Sequence, residues 1–351
     1  MSNKRCAVVL CTDRNMIIQA LFVAYSVIRE AGADAGLFDV VIVTDLQGVD
    51  PTHAEWMAGN GILHKVVDFR FLREIFKDAG RLTAATLVKL TLAEIFSGVH
   101  DRILYLDADL TIHANVGVLF DLELGGHPLA ANPRGNVLPN ETKRQEVEAH
   151  FAALGMTRPF RYFNSGVLLI DVARWNALDL TCRTLDFITM NRELCPLPDE
   201  DSLNAELNGR FTALSPAWNM PPRRWPFLEI HDLVQAAIVH YSGHDKPWKR
   251  FGRDKPLFPD MEAYRAYRSF IAASPWQEWL DLQWTIGDVR EGLTSALRQT
   301  WLRWLGLSRE TGAHSGGTYL SRFASYIAEA EFADVSQGFT IRDGPRIRLK
   351  C

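Results

Sequence analysis

The first third of the chain alternates between unbroken apolar runs and segments whose apolar residues recur every three to four positions. Cys6–Cys11 and Phe38–Asp45 are dominated by apolar and β-branched residues, which predicts central parallel strands covered on both faces. Residues 16–31 lie between them, carry apolar residues on one helical face and precede Gly32, so they predict a helix. Strands separated by helices indicate an α/β fold with a mostly parallel central sheet.

The pattern continues less regularly toward the middle of the chain. Further strands are predicted at 65–69, 102–110, 166–172 and 237–241, and further helices at 83–97, 140–154 and 173–191. A short helix through Leu207 is predicted to begin at Asp201 or Ser202 as its N-cap. Residues 261–306 are predicted to be helical and combine tryptophans with arginines. We therefore predict one domain over 1–255 and a mainly helical, Trp/Arg-rich C-terminal extension over 256–351.

Composition narrows the class of protein. The 351 residues are 47% hydrophobic and 23% charged with a formal net charge of −4, which suits a globular protein and argues against a nucleic-acid binder. The five cysteines are scattered without a CxxC pair, which argues against a disulfide framework or a structural zinc site and fits a reducing cytosol. Neither a signal peptide nor a transmembrane helix is predicted, so we expect a cytoplasmic protein.

Two aspartates end the strand predicted at 102–110. Asp107 and Asp109 are two positions apart, so in a strand their carboxylates project to one face, at the sheet edge where open α/β folds bind ligands. Neighbouring carboxylates repel each other unless a cation or proton lies between them, and oxygen ligands suit Mg²⁺ or Mn²⁺. Three hypotheses fit the pair. They are a capped turn, a metal site for a nucleotide diphosphate, and a DxDxT aspartyl-phosphate phosphatase with Asp107 as nucleophile and Asp109 as general acid.

A series of separated motifs accompanies the aspartate pair. They are Val9–Asn15, Ala85–Leu90, Leu104–Asp109, Phe163–Val167, Asp199–Asn204 and the HxxGxxKPW segment His240–Trp248. In this order, over about residues 5–250, they resemble glycosyltransferase family 8, which includes bacterial lipopolysaccharide galactosyl- and glucosyltransferases and the glycogenins. A phosphatase of the DxDxT kind would carry its aspartates on the first strand, whereas here a complete β-α-β unit precedes them.

The resemblance implies a GT-A type, Rossmann-like fold and a metal-dependent, retaining transferase. Such an enzyme moves a hexose, glucose or galactose, from a UDP-sugar to a glycan acceptor such as lipopolysaccharide or another envelope polysaccharide. Asp107, Asp109 and His240 match the family's metal ligands, and an imidazole beside two carboxylates favours Mn²⁺ over Mg²⁺. Gly243 and Lys246 match contacts to the diphosphate, where Lys246 and the metal would stabilise the departing UDP.

Other matching positions are implied to contact the UDP-sugar donor. They are Asp13, Asn15, Lys89, Ala108, Asn164 and Ser165. Asp13 and Asn15 would meet the base and ribose, although N-capping of the first helix explains them as well. Lys89 would face the sugar or phosphate, although an ordinary salt-bridged or solvent-facing lysine fits the same position.

Asp199 and Glu200 are the predicted catalytic residues, because they match positions that hold the donor sugar at its reacting carbon. Three positions depart from the family pattern. Met16 replaces an aromatic residue that stacks on the base, Lys89 replaces an arginine, and Glu200 replaces a glutamine. A carboxylate at 200 could act as a nucleophile, stabilise oxocarbenium-like charge, or only favour a helix N-terminus.

Several alternatives stay open from the sequence. A catalytically inactive nucleotide-sugar-binding or interaction protein would carry the same scaffold, and Trp218 and Asn219 fit either an acceptor site or plain packing. The Trp/Arg-rich extension fits helices packed on the main domain. It also fits amphipathic helices that contact the inner face of the membrane peripherally, which would suit a lipid-linked glycan acceptor.

Overall fold

A computed structural model describes residues 5–45, 49–75, 84–133, 141–158, 161–222, 234–242, 246–248 and 261–278. The strands are β1 Cys6–Cys11, β2 Asp39–Thr44, β3 Ile62–Val66, β4 Arg102–Leu106, β5 Leu110–Ile112, β6 Leu129–Pro133, β7 Phe163–Asp171, β8 Thr212–Ala213 and β9 Ile238–His240. The α-helices are α1 Ile17–Ala31, α2 Pro51–Gly59, α3 Arg70–Ile75, α4 Leu92–Ile95, α5 Glu141–Ala153, α6 Val172–Ala177, α7 Leu180–Met190, α8 Pro198–Leu207 and α9 Met261–Ala272. The 3₁₀-helices are Gly32–Gly36, Ala84–Thr91, Val116–Asp121, Arg192–Leu194 and Pro216–Asn219.

Seven of these strands form one sheet in the order β3-β2-β1-β4-β7-β6-β8. The strands β3, β2, β1 and β4 pair in parallel, and β8 pairs in parallel with β6. Only β7 is reversed, since it pairs antiparallel with both β4 and β6. The predicted α/β class with a mostly parallel sheet flanked by helices is therefore confirmed.

Both faces of this sheet are covered by apolar side chains. Alternate residues of a strand point to opposite faces, so Val8 and Leu10 of β1 pack in the core that contains α1. Ala7 and Val9 of the same strand pack in a second core, with apolar residues of α4 and of the preceding 3₁₀-helix. This two-sided burial explains why the central strands are apolar throughout.

Several predicted boundaries are wrong for local reasons. The strand predicted at 65–69 lies at β3 instead, because Gly61 adopts a φ of +70° and turns the chain directly from α2 into that strand. The helix predicted at 83–97 is mainly a 3₁₀-helix, and only Leu92–Ile95 is α-helical. Its β-branched residues, Thr86, Val88 and Thr91, disfavour a longer α-helix.

Two further predicted elements differ in extent. The helix predicted at 173–191 is divided into α6 and α7, since Asp179 adopts a left-handed φ of 51° between them. The helix through Leu207 begins at Pro198 and not after an Asp201 or Ser202 cap, because proline suits the first turn of a helix. The strand predicted at 102–110 is interrupted at Asp107–Asp109, and its last residues join another sheet.

The described part of the C-terminal extension packs on the main core. Tyr267 and Phe270 of α9 contact the ring of Phe22 with centroids 5.2 and 5.5 Å apart, and Trp276 lies 5.4 Å from the ring of Trp56 in α2. The rest of the predicted Trp/Arg-rich helices, at 279–306, lies outside the described residues, and the division at residue 255 stays a prediction. In the ranges that the structure describes, no helix has both the length and the apolar character needed to cross a bilayer.

Candidate active site

The segment Asp107–Asp109 carries the chain from the large sheet to a small one. Leu106 ends β4 opposite Val167 of β7, and the backbone N–H of Asp107 donates to the carbonyl of Gly166 at 2.9 Å. The chain then enters β5, which pairs antiparallel with β9. Both aspartates are therefore held by backbone pairing at the carboxyl end of β4.

The same small sheet delivers His240 to the aspartates. Leu110 of β5 lies opposite His240 of β9, and the N–H of Tyr241 donates to the carbonyl of Asp109 at 2.9 Å. The His240 Nε2 atom lies 3.2 Å from Asp109 Oδ1 and 3.6 Å from Asp107 Oδ2. One ligand atom from each of the three side chains fits within 4.8 Å of the others. The three predicted metal ligands therefore converge.

Lys246 lies against this cluster. Its Nζ atom is 2.5 Å from Asp109 Oδ2 and donates to the carbonyl of Tyr241 at 2.8 Å. Burial opposes ionisation of Asp109, but His240 and Lys246 outweigh it and hold the pKa of that carboxyl well below its usual range. Asp109 is therefore a carboxylate throughout the neutral range. Gly243 lies outside the described residues, so its predicted contact to the diphosphate stays a prediction.

Lys89 is a buried cation between two groups of side chains. One is the metal cluster, by which we mean the candidate metal ligands Asp107, Asp109 and His240, and the other is the predicted catalytic pair. Its side chain is 2% exposed, and Nζ lies 2.7 Å from Asp199 Oδ2 and 3.1 Å from Asp107 Oδ1. Burial alone would lower the pKa of Lys89, but these two carboxylates raise it above its usual value. The interpretation of Lys89 as a solvent-facing lysine is wrong. Its ammonium group is already paired with the site's own carboxylates.

Tyr105 also holds Asp107 in place. Its hydroxyl donates to Asp107 Oδ1 at 2.5 Å, and the Lys89 Nζ lies 4.6 Å from the centre of its ring. Burial and the Asp107 carboxylate raise the pKa of Tyr105 well above its usual value, so the phenol remains a donor. The sequence analysis missed this role. The alternation of strand residues was the available signal, since Tyr105 and Asp107 are two positions apart.

The predicted catalytic pair lies in the first turn of α8, with both side chains buried. Asp199 Oδ2 accepts a hydrogen bond from the Ser165 hydroxyl at 2.7 Å. Glu200 Oε2 accepts from Asn164 Nδ2 at 2.7 Å and from the backbone N–H of Ser165 at 3.2 Å. The four residues predicted to hold the donor sugar therefore form one hydrogen-bonded group.

The predicted base and ribose contacts lie between β1 and α1. Asp13 Oδ1 accepts from the backbone N–H of Asn15 at 2.9 Å, and Asn15 is exposed. The helix begins at Ile17 after Met16, which makes no side-chain cap, so Asp13 and Asn15 do not cap it. Ala108 is half-buried and packs against the core beside the aspartates. The predicted contacts of Asp13 and Asn15 to the base and ribose stay predictions.

Sequence reasoning gave Gly166 no role in the site and left Asn219 open between an acceptor site and plain packing. A Cβ atom added to Gly166 would lie 2.2 Å from His240 Cε1, so only glycine leaves room for the imidazole. Asn219 is bonded to both His240 and Asn164, at 2.9 Å in each case. Its neighbour Trp218 is fully buried in the core, which favours packing for that residue. A glycine inside a strand was a signal for close approach, whereas nothing local singled out Asn219.

The residues present fit a divalent cation. Two carboxylates and an imidazole are a donor set for Mn²⁺, and the second nitrogen of His240 is already hydrogen-bonded, as metal-ligating histidines require. The carboxylates of Asp107 and Asp109 converge beside His240, and neighbouring carboxylates repel each other unless a cation or proton lies between them, which favours a cation at this cluster.

Comparison with known proteins agrees with this geometry. A family model described as glycosyl transferase family 8 matches residues 7–252. The lipopolysaccharide 1,2-glucosyltransferase of Escherichia coli K12 is 27% identical over 213 residues, which cover 56% of this chain and 54% of that protein. The lipopolysaccharide 1,3-galactosyltransferase of Salmonella typhimurium LT2 is 28% identical over 205 residues, covering 55% and 56% respectively. The glycosyltransferase GlyF of Streptococcus pneumoniae is 25% identical over 201 residues, covering 55% of this chain and 44% of GlyF.

A solved structure of the galactosyltransferase LgtC, in complex with donor and acceptor sugar analogues, is similar in fold. Its TM-score is 0.61 at 21% identity, covering 77% of this chain and 96% of LgtC. This chain spans about half the length of the curated relatives described above. Because the family model covers more than half of the chain and the GT-A fold is shared, this protein belongs to glycosyltransferase family 8.

Proposed function

We propose that this protein is a metal-dependent hexosyltransferase that moves glucose or galactose from a UDP-sugar to a glycan acceptor, with retention of anomeric configuration. One observation carries the proposal. Asp107, Asp109 and His240 meet within 4.8 Å at the end of β4, beside Lys246, which is the arrangement a nucleotide diphosphate needs. The similarity to lipopolysaccharide glucosyl- and galactosyltransferases suggests the classes of donor and acceptor.

Different residues would bind the nucleotide and the diphosphate of the donor. Asp13 and Asn15, at the end of β1, are proposed to meet the uracil and ribose, and Ala108 brings backbone close to the nucleotide. A bound Mn²⁺ or Mg²⁺ would offset the negative charge of the diphosphate. The Lys246 ammonium group lies 2.5 Å from Asp109, one of the proposed metal ligands. It can therefore stabilise the negative charge of the diphosphate as UDP departs.

The sugar would lie against the group formed by Asn164, Ser165, Asp199 and Glu200. Ser165 and Asn164 orient the two carboxylates through hydrogen bonds of 2.7 Å each. Lys89 lies 2.7 Å from Asp199 and offsets its charge, and Glu200 Oε2 accepts hydrogen bonds from Asn164 and from the backbone N–H of Ser165. We propose Glu200, which replaces a glutamine of the family pattern, as the group that acts as a nucleophile or stabilises oxocarbenium-like charge.

The test is Mn²⁺-dependent release of sugar from UDP-glucose and UDP-galactose by the purified protein. We expect hydrolysis or transfer with at least one donor, lost on addition of EDTA and lost in Asp109→Asn. Asp121→Asn serves as the matched control, because Asp121 is an exposed aspartate outside the site. Turnover unchanged in Asp109→Asn would reject the metal assignment. Tight UDP-sugar binding without any release would favour a catalytically inactive nucleotide-sugar-binding protein.

We place the reaction on the cytoplasmic side of the membrane. Cys6, Cys11, Cys182 and Cys195 are all free thiols, which suits a reducing compartment. A lipid-linked glycan acceptor would bring the enzyme to the inner face of the membrane, and the C-terminal extension is the candidate for peripheral contact. Liposome flotation of the full chain and of a chain ending at residue 278 tests this contact, which is rejected if both float equally.

A further inference from the structure

A continuous line of hydrogen bonds joins the metal cluster to the predicted sugar site. His240 Nδ1 is 2.9 Å from Asn219 Oδ1, and Asn219 Nδ2 donates to Asn164 Oδ1 at 2.9 Å. Asn164 Nδ2 then donates to Glu200 Oε2 at 2.7 Å. These side chains come from β9, the end of a 3₁₀-helix, β7 and α8, so four separate elements meet in one line.

The polarity of this line is fixed at the Asn164 end. Asn164 Oδ1 accepts the backbone N–H of Gly166 at 3.1 Å, and a backbone N–H can only donate. At the other end of the same amide, Nδ2 faces a glutamate oxygen that also accepts the backbone N–H of Ser165. The Asn164 amide therefore has one possible orientation, with Oδ1 turned toward Asn219.

That orientation propagates to the histidine. Since Asn164 Oδ1 is an acceptor, Asn219 must present its NH₂ group there, and its carbonyl oxygen must then face His240. An amide oxygen can only accept, so His240 Nδ1 must carry a proton. With the Nδ1 proton donated to Asn219, Nε2 is the nitrogen that faces Asp109 and Asp107, at 3.2 and 3.6 Å, and so the one available to ligate a metal beside them. A backbone hydrogen bond holds His240 beside the segment that carries Asn219, because the His240 N–H donates to the carbonyl of Met220 at 2.7 Å.

We propose that Asn219 is a positioning residue that selects the Nδ1–H tautomer of His240 and thereby makes Nε2 the metal ligand. Metal-binding histidines generally depend on such a partner for ring orientation and basicity. The inference rests on the proposed metal site, and it assigns a role to a residue that had been expected at the acceptor side or in packing.

Mn²⁺ affinity measured by electron paramagnetic resonance tests the role without any assay of turnover. Asn219→Ala removes the acceptor for Nδ1–H, so we expect its affinity for Mn²⁺ to fall by about 10- to 100-fold. Asn219→Asp also loses the donor to Asn164 but keeps an acceptor for Nδ1–H, so its affinity for Mn²⁺ should lie clearly above that of Asn219→Ala. Asn176→Ala is the control, because it removes a half-buried amide hydrogen bond, to the carbonyl of Ala93, away from the site. Equal losses in Asn219→Ala and Asn219→Asp would indicate a structural role only and would overturn the inference.

A second measurement uses the wild-type protein, so it does not depend on a variant that folds. With ¹⁵N-labelled histidine and ¹¹³Cd²⁺ as the probe, nuclear magnetic resonance should give direct ¹¹³Cd–¹⁵N coupling at His240 Nε2 and a bonded proton at Nδ1. Coupling at Nδ1 would overturn the inference and leave the metal site standing. Failure of the wild type to bind either Mn²⁺ or Cd²⁺ would reject the metal site itself and, with it, the proposed function.

Discussion

Gly166 is the position where one added methyl group should disable the metal cluster. Gly166 lies on β7, where two contacts hold the backbone in place. Val167 pairs with Leu106 of β4, and the N–H of Asp107 donates to the carbonyl of Gly166. A Cβ atom at this position would lie 2.2 Å from His240 Cε1 and 2.7 Å from Asp107 Oδ2. Gly166→Ala therefore presses on two of the three ligands at once.

The size of the effect follows from those distances. Non-bonded carbon atoms rest about 3.5–4.0 Å apart, so the imidazole would have to move by about 1.3 Å or more from its 2.2 Å contact. Metal–ligand distances tolerate only about 0.2 Å. We expect Gly166→Ala to lower Mn²⁺ affinity by at least about 100-fold, the upper end for disturbed ligand orientation. Overpacking of this kind should also lower the free energy of unfolding by about 1–3 kcal/mol.

Mn²⁺ titration followed by electron paramagnetic resonance measures the affinity, and urea unfolding measures the stability. Gly59→Ala is the matched control, because a Cβ atom there meets nothing within 4 Å and the residue ends an exposed helix. The control should bind Mn²⁺ as the wild type does. A Gly166→Ala protein that is folded and binds Mn²⁺ with wild-type affinity would refute the steric argument and, with it, the placement of the His240 ring.

Three further predictions address other parts of the molecule. Lys89→Met leaves two carboxylates within 3.1 Å of the lost ammonium without their cation, so the free energy of unfolding in urea should fall by about 3–5 kcal/mol. Because the pKa of Lys89 is raised in the fold, this difference should persist below its unfolded pKa of about 10.4 and shrink as the pH rises further; a constant difference at all pH values would contradict it. Glu200→Gln should keep Mn²⁺ affinity and lose most of kcat in the sugar-release assay, and near-normal kcat would reject an obligatory nucleophile. Trp276→Ala should lower the free energy of unfolding in urea by about 3–5 kcal/mol, since Trp276 is 3% exposed and its ring packs against Trp56 of α2; a negligible loss would show that the turn after α9 adds little to the core.

The sequence predicted the central strands better than the connections between them. β1, β2 and β4 are long apolar runs buried on both faces, and that burial is visible in the residues themselves. β6 and the short β8 were not predicted, because short pairs at the sheet's far end gain their order from β7 and not from a local pattern. The reversal of β7 was also hidden, since a buried antiparallel strand has the same apolar composition as a parallel one.

The site shows the same division. Residue chemistry and spacing by themselves determined that Asp107 and Asp109 share a face. The resemblance to glycosyltransferase family 8 implied that the histidine and lysine of the His240–Trp248 segment belong to the same diphosphate site. Only the tertiary structure decided that β5 pairs with β9, that Lys89 is buried between carboxylates, and that Asn219 faces the imidazole. Spacing along the chain is a local property. Partners from distant segments are chosen by packing and by the need of every buried polar group for a hydrogen bond.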